Sequence, residues 1–378
     1  MLRARWAVTL GLVIAGLVVA GCGSSGGSGG GGGTSTTAFV AHRAANVNGD
    51  LPPADRKLWH YSAASARYEA VPGSAESFPP HLEKPAKTFT LAYIDPWAAN
   101  PFAIPIRTNV QKYAKELGLN LIYCDAENKP EKAVECSTLL ARQHPAFAIA
   151  GNWQSGASNA MIKVWNEAHV PTASIDVWQP NSIFFGADNY TAGNIGGKAA
   201  GEYAKSTWGC KDLWIFMGEN KAEGEAAAQR LAGFSDGIQE ICGKLSSERI
   251  QTEVMAEGTS SQAIDITTAW LTAHPQAKHV LATSIDDERA SGIAKVFKQN
   301  SIPGMAVGLG CDTVGQKVTL EAPASVNHYL GCVAFFPEHY AEYLVSIALA
   351  VVAGKPVPQE VHVTHKFLTH ETIGQYYH

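Results

Sequence analysis

The chain has 378 residues, 46% of them hydrophobic, and a formal charge of −5. That length accommodates two α/β domains with cores of their own, and the composition argues against a fibre or a disordered body. Charges of both signs are spread along the chain without the basic stripe that a phosphate backbone requires, so nucleic acid is not an expected partner.

Arg3 and Arg5 precede an apolar run from Trp6 to Ala20. The run is short for a bilayer span and has the layout of an export signal, so residues 1–21 are expected to be removed. The junction Val19-Ala20-Gly21-Cys22 resembles the lipobox of bacterial lipoproteins, which would lipidate Cys22 and make it the new amino terminus. The alternative is an ordinary cleaved signal beside a stray cysteine. Residues 22–37 are rich in Gly and Ser and read as a flexible tether. Residues 38–87 carry several prolines and little periodicity, and read as an extended leader whose Trp59, Tyr61, Tyr68 and Phe78 would dock on the body. Six cysteines remain after Cys22, an even number in a chain bound for an oxidising compartment. Neighbours on adjacent elements suggest the pairs Cys124–Cys136, Cys210–Cys242 and Cys311–Cys332; six free thiols are the alternative.

From Phe89 the chain alternates strand and helix. Phe89 to Ile94 is an apolar run of strand length, and Ile106, Val110, Tyr113, Ala114 and Leu117 recur at helical spacing before Gly118. Strands are expected at 119–123, 146–150, 171–175 and 183–186, with helices at 130–142 and 157–168 between them. The rhythm restarts after Asp188. Helices at 190–206, 222–241, 262–273 and 288–300 alternate with strands at 213–216, 250–255, 278–283 and 305–309, and a further strand is expected at 325–329. A helix over 337–353 stops at Gly354 and Pro356, and an extended piece follows at 361–368. Alternation of this kind predicts an α/β fold of two similar Rossmann-like lobes, each a parallel sheet covered by helices.

The loop with Asn100-Pro101-Phe102, the Ser174-Ile175-Asp176 strand end, Ala187-Asp188-Asn189 followed by Gly193, Arg230-Leu231-Ala232-Gly233-Phe234 and Phe335-Phe336-Pro337-Glu338 together resemble the type I periplasmic sugar-binding proteins. These are the ribose- and galactose-binding relatives of the LacI-type regulators. The resemblance covers roughly residues 88–378. It implies two lobes joined by a three-crossing hinge, here near Asp188, Phe335 and Val357. An N-terminal lobe of 88–188 plus 336–356 and a C-terminal lobe of 189–335 plus 357–378 would close on a ligand without changing it chemically. It also implies delivery to an ABC permease with its ATPase. A receptor coupled to a membrane kinase or chemoreceptor is the alternative output.

Within the resemblance, Asn100 and Phe102 match the family's amide and ring for sugar hydroxyls and sugar face, and Asp176 matches its carboxylate acceptor. Val177 stands where an arginine often follows. Arg230 aligns with a more structural arginine, with Ala228 in the ligand-facing place. Asp286 or Asp287, and then Asp312, approximate the acidic positions of the second lobe. The residues also speak for themselves: ligands of open α/β sheets lie beyond the carboxyl ends of strands. Trp97, Trp153 and Trp178 stand at such ends in the first lobe, where flat rings would cover C–H faces. Asn152, Glu219, Asn220 and Lys221 are further loop candidates, and Phe335 lies at the hinge crossing that the resemblance implies. Asp188 has two readings, ligand contact or helix cap.

No catalytic residue, cofactor or metal is expected. His362, His365 and His370 point to different faces of a strand, GLGCDTVG lacks the Lys-Ser/Thr of a P-loop, and no G-x-S-x-G elbow occurs in the body. The expectation is a monomeric, lipid-anchored receptor at the cell envelope, periplasmic or on the outer surface, that binds a carbohydrate or similar polyhydroxylated molecule.

Overall fold

The computed structural model describes residues 57–75 and 77–378. The expected export signal, the expected lipidation site Cys22 and the expected tether lie outside them. Within the described part, residues 57–87 are not simply extended. β1 (Lys57–Ser62) and β2 (Arg67–Ser74) form an antiparallel hairpin, because Trp59, Tyr61 and Tyr68 supply the alternating apolar face that a docked hairpin needs. All three, with Phe78, pack on the main core. Tyr68 donates its hydroxyl to the Thr172 carbonyl at 3.1 Å, which fixes the hairpin to the first lobe.

The first lobe runs β3 (Thr90–Asp95), α1 (Ala103–Leu117), β4 (Asn120–Asp125), α2 (Pro130–Ala141), β5 (Phe147–Gly151), α3 (Ser158–Glu167), β6 (Thr172–Ile175) and β7 (Ile183–Gly186). β3 is buried on both faces from Leu91 onward, as a central parallel strand between helix layers must be. α1 turns Ala103, Ile106, Val110, Ala114 and Leu117 inward and ends at Gly118 with φ 69°. Burial of each large member of that stripe contributes about 1.5–3 kcal/mol.

The second lobe runs α4 (Asn189–Trp208), β8 (Leu213–Glu219), α5 (Glu225–Cys242), β9 (Ile250–Val254), α6 (Ser260–Ala273), β10 (His279–Ser284), α7 (Asp287–Gln299), β11 (Gly304–Gly310), α8 (Thr313–Glu321), α9 (Ala324–Asn327) and β12 (Tyr329–Ala334). α4 and α5 touch backbone to backbone. A Cβ on Gly193 would lie 2.0 Å from the Arg230 carbonyl oxygen, and one on Gly233 would lie 2.1 Å from that of Tyr190. This approach brings Arg230 to Asn189 at the hinge. The strand expected at 325–329 begins at Tyr329 instead: a short helix comes first, and His328, with φ 59°, turns the chain.

α10 (Tyr340–Val352) returns to pack on α1 and β5 of the first lobe, followed by β13 (Val357–Pro358), β14 (Glu360–His362) and β15 (Lys366–Leu368). The sheets have the orders β14-β7-β6-β5-β3-β4 and β15-β12-β11-β10-β8-β9, and β13 joins the hairpin. Both six-stranded sheets are parallel except for β15. The crossing placed near Val357 therefore falls later, between β14 and β15, and residues 357–362 do not belong with the second lobe. Three residues such as Glu360-Val361-His362 carry too little pattern to name a sheet edge; pairing with β7 and the Val363 amide bond to the Gly186 carbonyl decide it.

All three expected disulfides are present, Cys124–Cys136, Cys210–Cys242 and Cys311–Cys332. Among the described residues no helix is long and apolar enough to cross a membrane.

Candidate functional site: the interlobe cleft

Between the carboxyl ends of the two sheets lies a cleft of about 260 Å³, near the lower end for small-molecule sites. The first lobe contributes rings. Trp97 follows β3, Phe102 opens α1 and Trp153 follows β5. Phe102 stands edge-on to Trp153, Phe335 and Tyr340, with centroids 6.2, 6.1 and 5.5 Å away. Asn100 uses its side-chain oxygen to accept the Phe102 amide at 2.8 Å, so the group it can offer the cleft is its NH2. Gln154 orients Asn128 by a 2.8 Å bond to the Asn128 oxygen.

Asp176 sits at the end of β6 with φ 57°, a left-handed conformation that Asp tolerates better than most residues. Its Oδ1 accepts the Ala187 amide at 3.0 Å and the Tyr340 hydroxyl at 2.9 Å. A Cβ on Gly186 would lie 2.6 Å from that oxygen, so the glycine makes room for the carboxylate. Oδ2 is buried without a hydrogen-bond partner. Burial pushes the carboxyl above its ordinary pKa, and the Arg230 charge pulls it back.

The second lobe contributes charge. Arg230 donates from Nε to Asn189 and from Nη1 to the Ile285 carbonyl, each at 2.7 Å, and its guanidinium lies 5.1 Å over the Phe335 ring. Asp286 caps α7 by accepting the Arg289 amide at 2.9 Å and pairs with the Arg289 guanidinium, which also donates to the Met255 carbonyl at 2.7 Å. Asp312 caps α8 through the Val314 and Gly315 amides at 2.8 and 3.1 Å. Burial, helped by the charges of Asp286 and Glu288, pushes its pKa up to about 6 against the pull of those amides. Glu223 is pushed to about 7 by burial, opposed by Arg230 and Arg289. The lobes meet at the cleft mouth, where the Ser155 hydroxyl donates to the Ala222 carbonyl at 3.1 Å.

Eight of the expected site residues line the cleft: Trp97, Asn100, Phe102, Trp153, Asp176, Asp286, Asp312 and Phe335. Five do not. Asn152 is turned inward, its side chain bonding the Gln154 backbone and Ser158. Trp178 lies outside, 36% exposed. Asp188 is a helix cap, accepting the Thr191 amide and hydroxyl at 3.0 and 2.7 Å. Glu219 pairs with Lys221 away from the cleft. Asp287 is fully buried behind the wall, holding the Tyr329 hydroxyl at 2.7 Å and the Asp312 amide at 3.0 Å.

Sequence reasoning missed Arg289, Glu223, Glu288 and Asn128, and placed Arg230 outside the ligand-facing set. The structure puts Arg230 in the wall, leaves Ala228 on an exposed face, and has Ala226 line the cleft. Arg289 was findable: it sits three residues after the capping Asp286, one turn into α7, where a side chain reaches back toward the strand ends.

Two parallel-sheet lobes, three crossings and a cleft at their strand ends define a two-lobed binding protein of the type I periplasmic class. The chain belongs to the periplasmic binding protein domain family, which matches residues 91–356. It is 24% identical over 285 residues to the ribose import binding protein RbsB of Salmonella typhimurium, covering 74% of this chain and 90% of that protein. It also resembles an ABC transporter solute-binding protein of Mycobacterium smegmatis with bound glycerol, with TM-score 0.65 and 18% identity over 76% of this chain and 96% of that one. A periplasmic solute-binding protein of Actinobacillus succinogenes 130z with bound D-allose gives TM-score 0.64 and 17% identity over 77% and 100%. The family is one of transporter substrate-binding proteins rather than enzymes, and its place is extracytoplasmic.

Proposed function

We infer that this protein captures a carbohydrate or similar polyhydroxylated molecule between its lobes and delivers it to an ABC permease driven by an ATPase. The observation that carries the reading is Asp176 Oδ2, a buried carboxylate oxygen with no partner, on the same first-lobe wall of the cleft as the Phe102 and Trp153 rings. An acceptor beside aromatic faces suits an array of hydroxyls on a C–H ring. The relatives' named ligands, ribose, glycerol and D-allose, share that chemistry.

Closure follows from contacts made on both lobes at once. A ligand touching Asp176 on one side and Asp312 on the other stabilises the closed arrangement over an open one by its differential contacts. The protein acts as a monomer, tethered to the envelope through lipid on Cys22. A sugar panel read by thermal shift and Trp fluorescence tests the ligand reading: a dose-dependent rise in melting temperature is expected, about 2.7 kcal/mol of added stability at a hundredfold excess over Kd. No shift from any polyhydroxylated compound would refute it. Metabolic labelling with a fatty-acid analogue, lost in Cys22→Ala, tests the anchor.

A further inference from the structure

The charge balance of the cleft narrows the ligand further. Five carboxylates line it, those of Asp176, Glu223, Asp286, Glu288 and Asp312, against two guanidiniums, those of Arg230 and Arg289. The lining residues include no lysine or histidine, so the formal balance is −3. Lys221 is paired with Glu219 and Lys295 with the Ser260 hydroxyl, and neither lines the cleft.

The two arginines do not cancel this excess. Arg289 is ion-paired with Asp286, and its charge also reaches Glu223. Arg230 donates to neutral partners, and its charge faces both Asp176 and Glu223. Glu223, Glu288 and Asp312 are left on the second-lobe wall without a guanidinium of their own. Asp286 stands close enough to both Glu223 and Asp312 to disfavour their ionisation, and Glu288 does the same to Asp312. Across the cleft, Asp176 is 97% buried, lines the same space and carries an oxygen without a hydrogen-bond partner. Enclosed like charges without a counter-ion are unfavourable, and a bound cation relieves them. A neutral polyol would fill the hydrogen bonds and leave the charge.

We propose that the natural ligand is a polyhydroxylated molecule bearing a protonated amine, an amino sugar or aminocyclitol, with its hydroxyls toward Asp176 and its ammonium among Glu223, Glu288 and Asp312. The proposal rests on the polyhydroxyl reading above and adds the cation to it. An ammonium there favours the ionised carboxylates, so binding between pH 6 and 7 releases protons, chiefly from Glu223, with a smaller share from Asp312 toward pH 6.

The test is calorimetry at pH 6.5, where the amines are protonated and Glu223 still carries a proton, on protein purified from cells expressing the full chain, with matched pairs: D-glucosamine against D-glucose and N-acetyl-D-glucosamine, D-galactosamine against D-galactose, and streptamine against myo-inositol. The expected result is that in at least one set the amine binds about tenfold or more tighter than its neutral counterpart, with proton release seen as a buffer-dependent heat. In Glu223→Gln and Asp312→Asn that ratio falls toward one, whatever the change in affinity for the neutral compound; a ratio that stays at its wild-type value in both variants overturns the placement of the ammonium. The wild-type comparison decides the matter if a variant fails to fold. If neutral compounds bind and the amines bind no tighter in every set, the cation proposal is overturned and the polyhydroxyl reading stands. If neither kind binds, both fall.

Discussion

Replacing Asp176 with Asn separates its role in the cleft from its role in the hinge. Oδ1 is held by Ala187 and Tyr340 at 3.0 and 2.9 Å, and an amide oxygen can accept both bonds. The change falls on Oδ2, the partnerless oxygen, where an acceptor gives way to an NH2 donor. Loss of a charged acceptor facing a ligand hydroxyl costs about 1.5–3 kcal/mol, so affinity for the tightest binder of the panel should drop roughly 10- to 150-fold. Stability of the unliganded protein should barely move. Burial already holds this carboxyl above its ordinary pKa, so a neutral isostere removes a disfavoured charge rather than a stabilising one. Titration calorimetry and a thermal melt of the same preparation read the two effects. Unchanged affinity with a melting temperature lowered by many degrees would show that Asp176 only braces the hinge, and the reasoning would fail.

Three other perturbations follow from the packing and the charges. Gly193→Ala drives a methyl into the Arg230 carbonyl, 2.0 Å from its ideal position; α4 and α5 must part, lowering stability by about 1–3 kcal/mol and weakening ligand binding with it, as melts and titrations of the variant would show. Breaking Cys311–Cys332, which closes a separation of 21 residues, should remove roughly 3 kcal/mol on the loop-entropy account, measurable by urea unfolding of the double serine variant against wild type. Asp312, with a folded pKa of about 6 against an ordinary 3.8, favours the folded state below pH 4 and loses that contribution as pH rises through 6, so wild type should lose stability relative to Asp312→Asn between pH 4 and 8, by up to about 3 kcal/mol. The comparison with the variant is needed because His365, held neutral by burial with a pKa near 3, acts in the opposite sense as pH falls below 6.5; equal pH profiles would contradict the assignment.

The architecture was legible because each lobe writes its strands as short apolar runs and its helices as stripes such as Ile106, Val110 and Leu117, and no other arrangement hides both. The end of the chain was less legible, since β14 and β15 are three residues each and choose opposite sheets by edge pairing alone. In the cleft, strand ends marked the right loops but not the direction of each side chain. Trp153 faces the cleft and its neighbour Asn152 does not; Asp286 lines it and Asp287 lies behind. Which member of such a pair points inward depends on backbone turns of a single residue, such as the positive φ of Asp176. Arg230 was misplaced for another reason. Its orientation comes from the glycine-mediated contact of α4 with α5, a long-range feature with no local pattern at Arg230 itself.

A crystal structure of the wild-type protein with the tightest ligand from the panel addresses the central claim most directly. It should show a ligand hydroxyl within hydrogen-bond distance of Asp176 Oδ2 and the ligand's ring against Trp153 or Phe102, enclosed by both lobes. A ligand seated elsewhere, or in the cleft without touching Asp176 or the second-lobe carboxylates, would contradict the account.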